Sequence, residues 1–174
     1  MAAAGTYDSI TTTTLNSSQS SVTLDSFSGY TDLILQISNQ MDAASGLRIR
    51  FNSDTGSNYG QTHFIGYSTS TLGAQGSFGN TTSIHNNLVF GDSIGYNVFT
   101  PHIIQIQNYE NTNMYKTILW RYGTLQNIDD SSDQGWIVGA WRNTNAITSI
   151  EVSAFNSTTI ATNTSFTIYG IKKA

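Results

Sequence analysis

The side chains that could do chemistry are thinly spread, and their spacing limits what each can be asked to do. Asp54 lies in the polar run 52–59 beside Asn52, Thr55 and Asn58, whose oxygens are the kind that hold calcium. Calcium takes six to eight oxygens and usually several carboxylates, so a run with one acid reads first as a turn. Gly56 is its expected positive-φ residue. Asp129, Asp130 and Asp133 gather more carboxylates, yet acidic loops of this kind are as a rule simply solvated. His63, His85 and His102 are far apart, and no spacing among them marks a zinc site. No serine stands in a G-x-S-x-G elbow. Glu110 and Glu151 are the only glutamates, and nothing in the sequence sets them at the roughly 5–10 Å that a glycosidase pair requires. The expectation is no catalytic residue, no metal site and no cofactor.

The aromatic residues are the more promising set. Trp120, Trp136 and Trp141, with Tyr109, Tyr115 and Tyr122, could stack on the apolar faces of sugars while Asn and Asp side chains bind hydroxyls. The competing reading is a core, where aromatic rings bury the largest area. Trp136 and Trp141 are assigned to the core, within an apolar run 136–141. Trp120 stands between the two readings, and a solvent-facing ring in a groove would favour sugar binding.

Strands must position these residues. Around the single proline, residues 101–123 read as strand, polar loop and strand. Ile104 and Ile106 oppose Gln105 and Gln107, then Ile118, Trp120 and Tyr122 oppose Thr117 and Arg121, a period of two. Similar runs are expected at 6–14, 22–24, 33–38, 47–51, 62–67, 84–90, 136–141, 147–154 and 166–171. Residues 33–35 are apolar on both faces, which suits a central strand. Arg48 and Arg50 give the 47–51 strand a basic outer face. Residues 68–82, rich in Gly, Ser and Thr, read as a long connection of the sort that is usually functional or mobile. About ten short strands without a helix predict an all-β, antiparallel sandwich or barrel. One domain over 1–174 is expected, with short tails at 1–5 and 172–174.

Composition narrows the classes. Only 10 % of the 174 residues are charged, well below the usual quarter, and Ser, Thr and Asn supply about a third of the chain. With 11 % aromatics the chain can still bury a core. A net charge of −4 and scattered cations argue against nucleic-acid binding. Cysteine is absent, so no disulfide or thiolate chemistry exists. No apolar run is long enough to cross a membrane, and the start lacks the pattern of a signal peptide, so synthesis in a cytosol without export is expected. The Asn-x-Ser/Thr sites at Asn16, Asn80, Asn156 and Asn163 would matter only in a secretory pathway.

Four segments carry a resemblance: Leu47-Arg-Ile-Arg-Phe-Asn-Ser-Asp-Thr-Gly-Ser-Asn-Tyr59, Tyr109-Glu-Asn-Thr-Asn-Met-Tyr-Lys-Thr117, Trp141-Arg-Asn-Thr-Asn-Ala-Ile-Thr-Ser-Ile150 and Phe166-Thr-Ile-Tyr-Gly-Ile-Lys172. In this order they resemble a family of small tailed-phage virion proteins. The resemblance implies a jelly-roll-like β-sandwich and a structural protein of the virion, made in the host cytoplasm. A capsid decoration (cement) protein on the outer head surface is the first reading, a tail-fibre or receptor-binding tip for host glycans the second. Expected partners are the major capsid protein or other virion proteins. Such proteins act as symmetric homo-oligomers on symmetric sites, and a trimer is the preferred state. Residues 68–82 and the tail 1–5 are the segments expected to touch the capsid or a sister subunit. The contact residues proposed on this reading are Gly73, Gln75, Phe78, Tyr109, Trp120 and Tyr122.

Overall fold

The computed structural model describes residues 6–43, 45–67, 70–86, 98–125 and 132–172, with 67, 70–78, 124–125 and 132–133 described as backbone alone. Every regular element among them is a strand. In order these are β1 (Tyr7–Thr14), β2 (Ser21–Leu24), β3 (Asp32–Asn39), β4 (Leu47–Phe51), β5 (Tyr59–Tyr67), β6 (Ser70–Thr81), β7 (Ile84–His85), β8 (Thr100–Ile106), β9 (Lys116–Leu125), β10 (Ser132–Trp141), β11 (Ile150–Ala154) and β12 (Ser165–Ile171). All pairings are antiparallel, in one sheet ordered β1-β12-β3-β8-β9-β10-β5-β6 and another ordered β2-β11-β4-β7.

The topology follows from folding one long hairpin on itself. β1 pairs β12, β2 pairs β11, β3 pairs β8 and β4 pairs β7, as in a hairpin closed from its ends inwards. Rolling that hairpin brings β12 against β3 and β11 against β4, and divides the strands between two sheets. The result is an eight-stranded jelly roll. Two further strand pairs are inserted into it. β5–β6 lies between β4 and β7, and β9–β10 between β8 and β11. Together they lengthen the larger sheet beyond β8.

The sequence periodicity maps onto this sandwich with few exceptions. On β3, Leu33, Leu35 and Ile37 are wholly buried, and the strand lies inside its sheet between β12 and β8. The core joins them to Ile49, Phe51, Ile104, Trp120, Trp141, Val152, Phe166 and Ile168. Phe51, Tyr59 and Trp141 pack as a ring cluster between the sheets, with Phe51 and Trp141 centroids 5.7 Å apart. The predicted pairing of 102–108 with 115–122 is the β8–β9 ladder, with Ile104 opposite Trp120 and Ile106 opposite Ile118.

Two expectations are corrected. The connection over 68–82 is, from Ser70 to Thr81, the twelve-residue strand β6 paired along β5. Its glycines and small polar residues mask any alternation, and three register shifts accompany the pairing. The run 136–141 is not buried throughout. Ile137 and Trp141 face inwards, whereas Trp136 is 61 % exposed. The reason is packing beneath β10: a Cβ at Gly139 would lie 2.7 Å from Ile84 Cδ1, and one at Gly135 would collide with Tyr122. Ile84 from the smaller sheet and the Tyr122 ring from neighbouring β9 fill the inner face at these glycines, and the outer face is left to Trp136 and Val138. Lys172, just after β12, forms a 2.6 Å ion pair with Asp8 on β1. Residues 1–5 and 87–97 lie outside the described residues.

Candidate functional site

Most residues singled out for chemistry turn out to serve the fold. The turn after β4 places its left-handed residues at Asn52 and Ser53 (φ 52° and 54°), so the positive φ expected at Gly56 falls earlier. Asp54 follows as the hub of the turn. It accepts hydrogen bonds from Trp141 Nε1 at 2.7 Å, Asn58 Nδ2 at 2.9 Å and the Gly56 amide at 2.8 Å. Partial burial opposes its ionisation, but these donors outweigh it and hold the carboxyl below its usual range. Its oxygens are thus engaged by protein donors, and the chemistry here is that of a turn. Among the described residues no group of acids and histidines could hold a metal ion. Asp129 and Asp130 lie outside those residues, as does the side chain of Asp133 on β10.

Two of the three histidines do meet. His63 on β5 and His85 on β7 pack 6.0 Å apart, ring to ring, with Gln61 between the sheets. The Gln61 side chain contacts the His63 ring, donates to His85 O at 3.0 Å and accepts from His85 N at 2.8 Å. Burial pushes both imidazoles down to about 4, helped at His85 by the neighbouring His63. His102 is elsewhere, accepting from Trp120 Nε1 at 3.2 Å. The glutamates do not form a pair: Glu110 lies in the loop after β8, while Glu151 on β11 faces Arg50 at 3.5 Å.

The residues expected to touch a partner divide in two. Tyr109, Trp120 and Tyr122 are buried, with exposures of 0, 0 and 6 %. They are core, because they alternate on the inner face of their ladder or seal its end, and Trp120 is not a groove-facing ring. Gly73, Gln75 and Phe78 lie on the β6 backbone opposite Ile65, His63 and Gln61, and their side chains lie outside the described residues.

What the structure brings to the surface instead is the outer face of the inserted strands. Trp136 on β10 is flanked by Phe64 on β5 and by Arg121 on β9, and Arg121 by Ile103 on β8. One row further along, Val138 lies between Thr62 and Leu119. Trp136, Val138, Phe64 and Leu119 are 61, 50, 48 and 38 % exposed. A hollow beside the aromatic pair is lined by Phe64, Gly66, Gln134 and Trp136. Single exposed apolar residues are ordinary, whereas these four form a contiguous set across three strands. The sequence carried one usable signal for it, the glycines at 135 and 139, which assign the opposite face to Trp136 and Val138.

A second concave region lies where the loops after β2, β8 and β10 converge. The Gly29 amide donates to Glu110 Oε1 at 3.2 Å, the Asn108 amide to Asp32 at 2.7 Å and the Ile147 amide to Tyr109 O at 2.8 Å. Lys116, itself buried, donates through Nζ to Met114 O and Thr144 O and so joins two of these loops. The hollow between them measures about 460 Å³. Its floor is the buried edge-to-face pair Phe27 and Tyr109, and Ser26, Ser28, Glu110 and Thr148 form its exposed rim. Neither protein-family models nor curated proteins give any match to the chain.

Proposed function

We propose that this chain is a non-enzymatic structural protein of a phage virion, a decoration protein that attaches to the outer head surface and stabilises it. The observation carrying this reading is the apolar outer face formed by Phe64, Leu119, Trp136 and Val138 on strands added to a jelly roll. Aromatic anchors of this kind dominate protein–protein binding when they are desolvated against a partner. The partner is the major capsid protein or another virion protein, engaged by a homo-oligomer for which three subunits are preferred. Attachment at many equivalent sites then sums modest contacts. The charge-poor surface of Ser, Thr and Asn and the four resembling segments agree with this assignment. It places the protein in the virion after synthesis in the host cytoplasm.

Quantitative mass spectrometry of purified particles tests the proposal. Hundreds of copies in a simple ratio to the capsid subunit are expected, and Trp136→Ser should strip the protein from the particles. Absence from particles would overturn it. A second reading, a tail-tip module that recognises host-surface glycans, is favoured by the loop-end hollow around Glu110, and a few tens of copies or fewer would favour it.

A further inference from the structure

We infer that the hollow between the loops after β2, β8 and β10 is a binding site for a sugar residue that presents hydroxyl donors. This rests on the second functional reading and specifies its site. The argument is a count of donors and acceptors. Ser26 Oγ already donates its proton to Asp25 at 3.0 Å, and Thr148 Oγ1 donates to Asn52 at 3.2 Å. Their oxygens therefore face a ligand as acceptors. Glu110 is an acceptor as well. Tyr109 Oη and the Gly29 amide both bond to its Oε1, at 2.9 and 3.2 Å, which leaves Oε2 for the ligand. With the Ser28 hydroxyl able to serve either way, a rim dominated by acceptors selects a ligand rich in donors.

The floor decides which donors. A quaternary ammonium would need an open aromatic face. The Phe27 and Tyr109 rings are 7 and 0 % exposed and pack edge to face 5.5 Å apart, so they give an apolar base without a cage. The carboxylate charge is already partly dispersed over two protein donors. A neutral polyol matches this combination, because its hydroxyl protons can go to the rim without calling for an open ring face. The volume of about 460 Å³ lies in the range of small-ligand sites. The rim is also built in advance. Asn52 Oδ1 holds the Thr148 and Ser149 amides, and Ser26, Gly29 and Asn108 adopt left-handed φ of 64°, 80° and 49°. Backbone held in such conformations by surrounding bonds is a common feature of ligand sites.

Saturation-transfer NMR on the full chain tests the site, with D-glucose, D-galactose, D-mannose and N-acetyl-D-glucosamine as probes and choline as the cationic competitor. The expected result is transfer to ring protons of at least one sugar, weakened at least tenfold by Glu110→Gln and abolished by Ala146→Trp, which fills the hollow. Melting curves establish that each variant is folded, and Trp136→Ala should leave the signal unchanged. Transfer to choline alone, or sugar transfer indifferent to both loop variants, overturns the site. Sugar transfer lost in Trp136→Ala but kept in the loop variants also overturns it, while leaving the glycan reading standing at the outer sheet face. No transfer from any sugar removes the site and the glycan reading together.

Discussion

The outer faces of the two sheets contrast sharply. On the smaller sheet, the outward residues of β4 and β11 satisfy one another: Arg48 Nε donates to Ser153 Oγ at 3.0 Å, and Arg50 pairs with Glu151 at 3.5 Å while donating to Thr82 O at 3.1 Å. On the inserted strands of the larger sheet, the outward residues are Phe64, Trp136, Val138 and Leu119, with Arg121 among them. The first face is complete within its own fold. The second leaves apolar surface in water, at a cost in free energy. The unfinished face belongs to the insertions rather than to the roll. β5, β9 and β10 thus put core on one side and exposed apolar surface on the other.

Substitutions can break that comparison or sharpen it. Trp120→Ala, on the inner face of β9, should cost about 3–5 kcal/mol in denaturant unfolding. Trp136→Ala, on the outer face of the neighbouring strand, should move stability by no more than about 0.5 kcal/mol. Similar losses at both positions would erase the distinction between core and contact face.

Acid comes next in size. The folded pKa of about 4 for His63 and His85 lies below the unfolded value of roughly 6.5, so the folded chain binds fewer protons. Their contribution is whole above about pH 6.5 and is lost as pH falls towards 4, on the order of a few kcal/mol in all. Asp54 acts in a lower window: its depressed carboxyl stabilises the fold above its ordinary pKa of 3.8 and ceases to do so as pH falls through the folded value. Urea unfolding across pH 7 to 3 should show the first loss before the second, and a flat profile between pH 7 and 4 would contradict burial of the histidine pair.

Asp54→Ala should cost about 1–3 kcal/mol, because it strands the Trp141 indole N–H beneath the turn. A double-mutant cycle on Arg50 and Glu151 should give less than about 1 kcal/mol and shrink with added salt, as for other partly exposed pairs. A larger coupling there would make the small-sheet face more than a solvated surface.

How much of this was readable in advance depends on what each feature required. Strands with Ile, Leu or Phe at every second position, such as 33–38, 47–51 and 102–108, announced themselves, because a period of two points to both the element and its buried face. β6 did not, since glycine and serine give no period and its ladder is set by β5. Tyr109, Trp120 and Tyr122 looked like candidates for contact because an aromatic ring suits a core and a binding face equally well. For Trp120 and Tyr122, their alternation with Thr117 and Arg121 was the better guide. The loop-end hollow was illegible, because its residues come from 26–28, 109–110 and 146–148 and meet only after the hairpin has rolled.

The sequence by itself determined an all-β chain with a hydrophobic core, few charges, no cysteine chemistry and strands at nearly their observed places. Local periodicity and composition act over a few residues, so they specify such things without knowledge of the partner strand. Tertiary structure alone decided that the inserted pairs extend one sheet and that His63 meets His85, and it gave the glycines at 135 and 139 their meaning, with Trp136 facing water while Trp141 does not. Each of these depends on what packs against a strand from outside its own residues. On β10, Ile84 from the smaller sheet lies under Gly139 and the cross-strand Tyr122 ring covers Gly135, and together they determine which side has room for a large side chain.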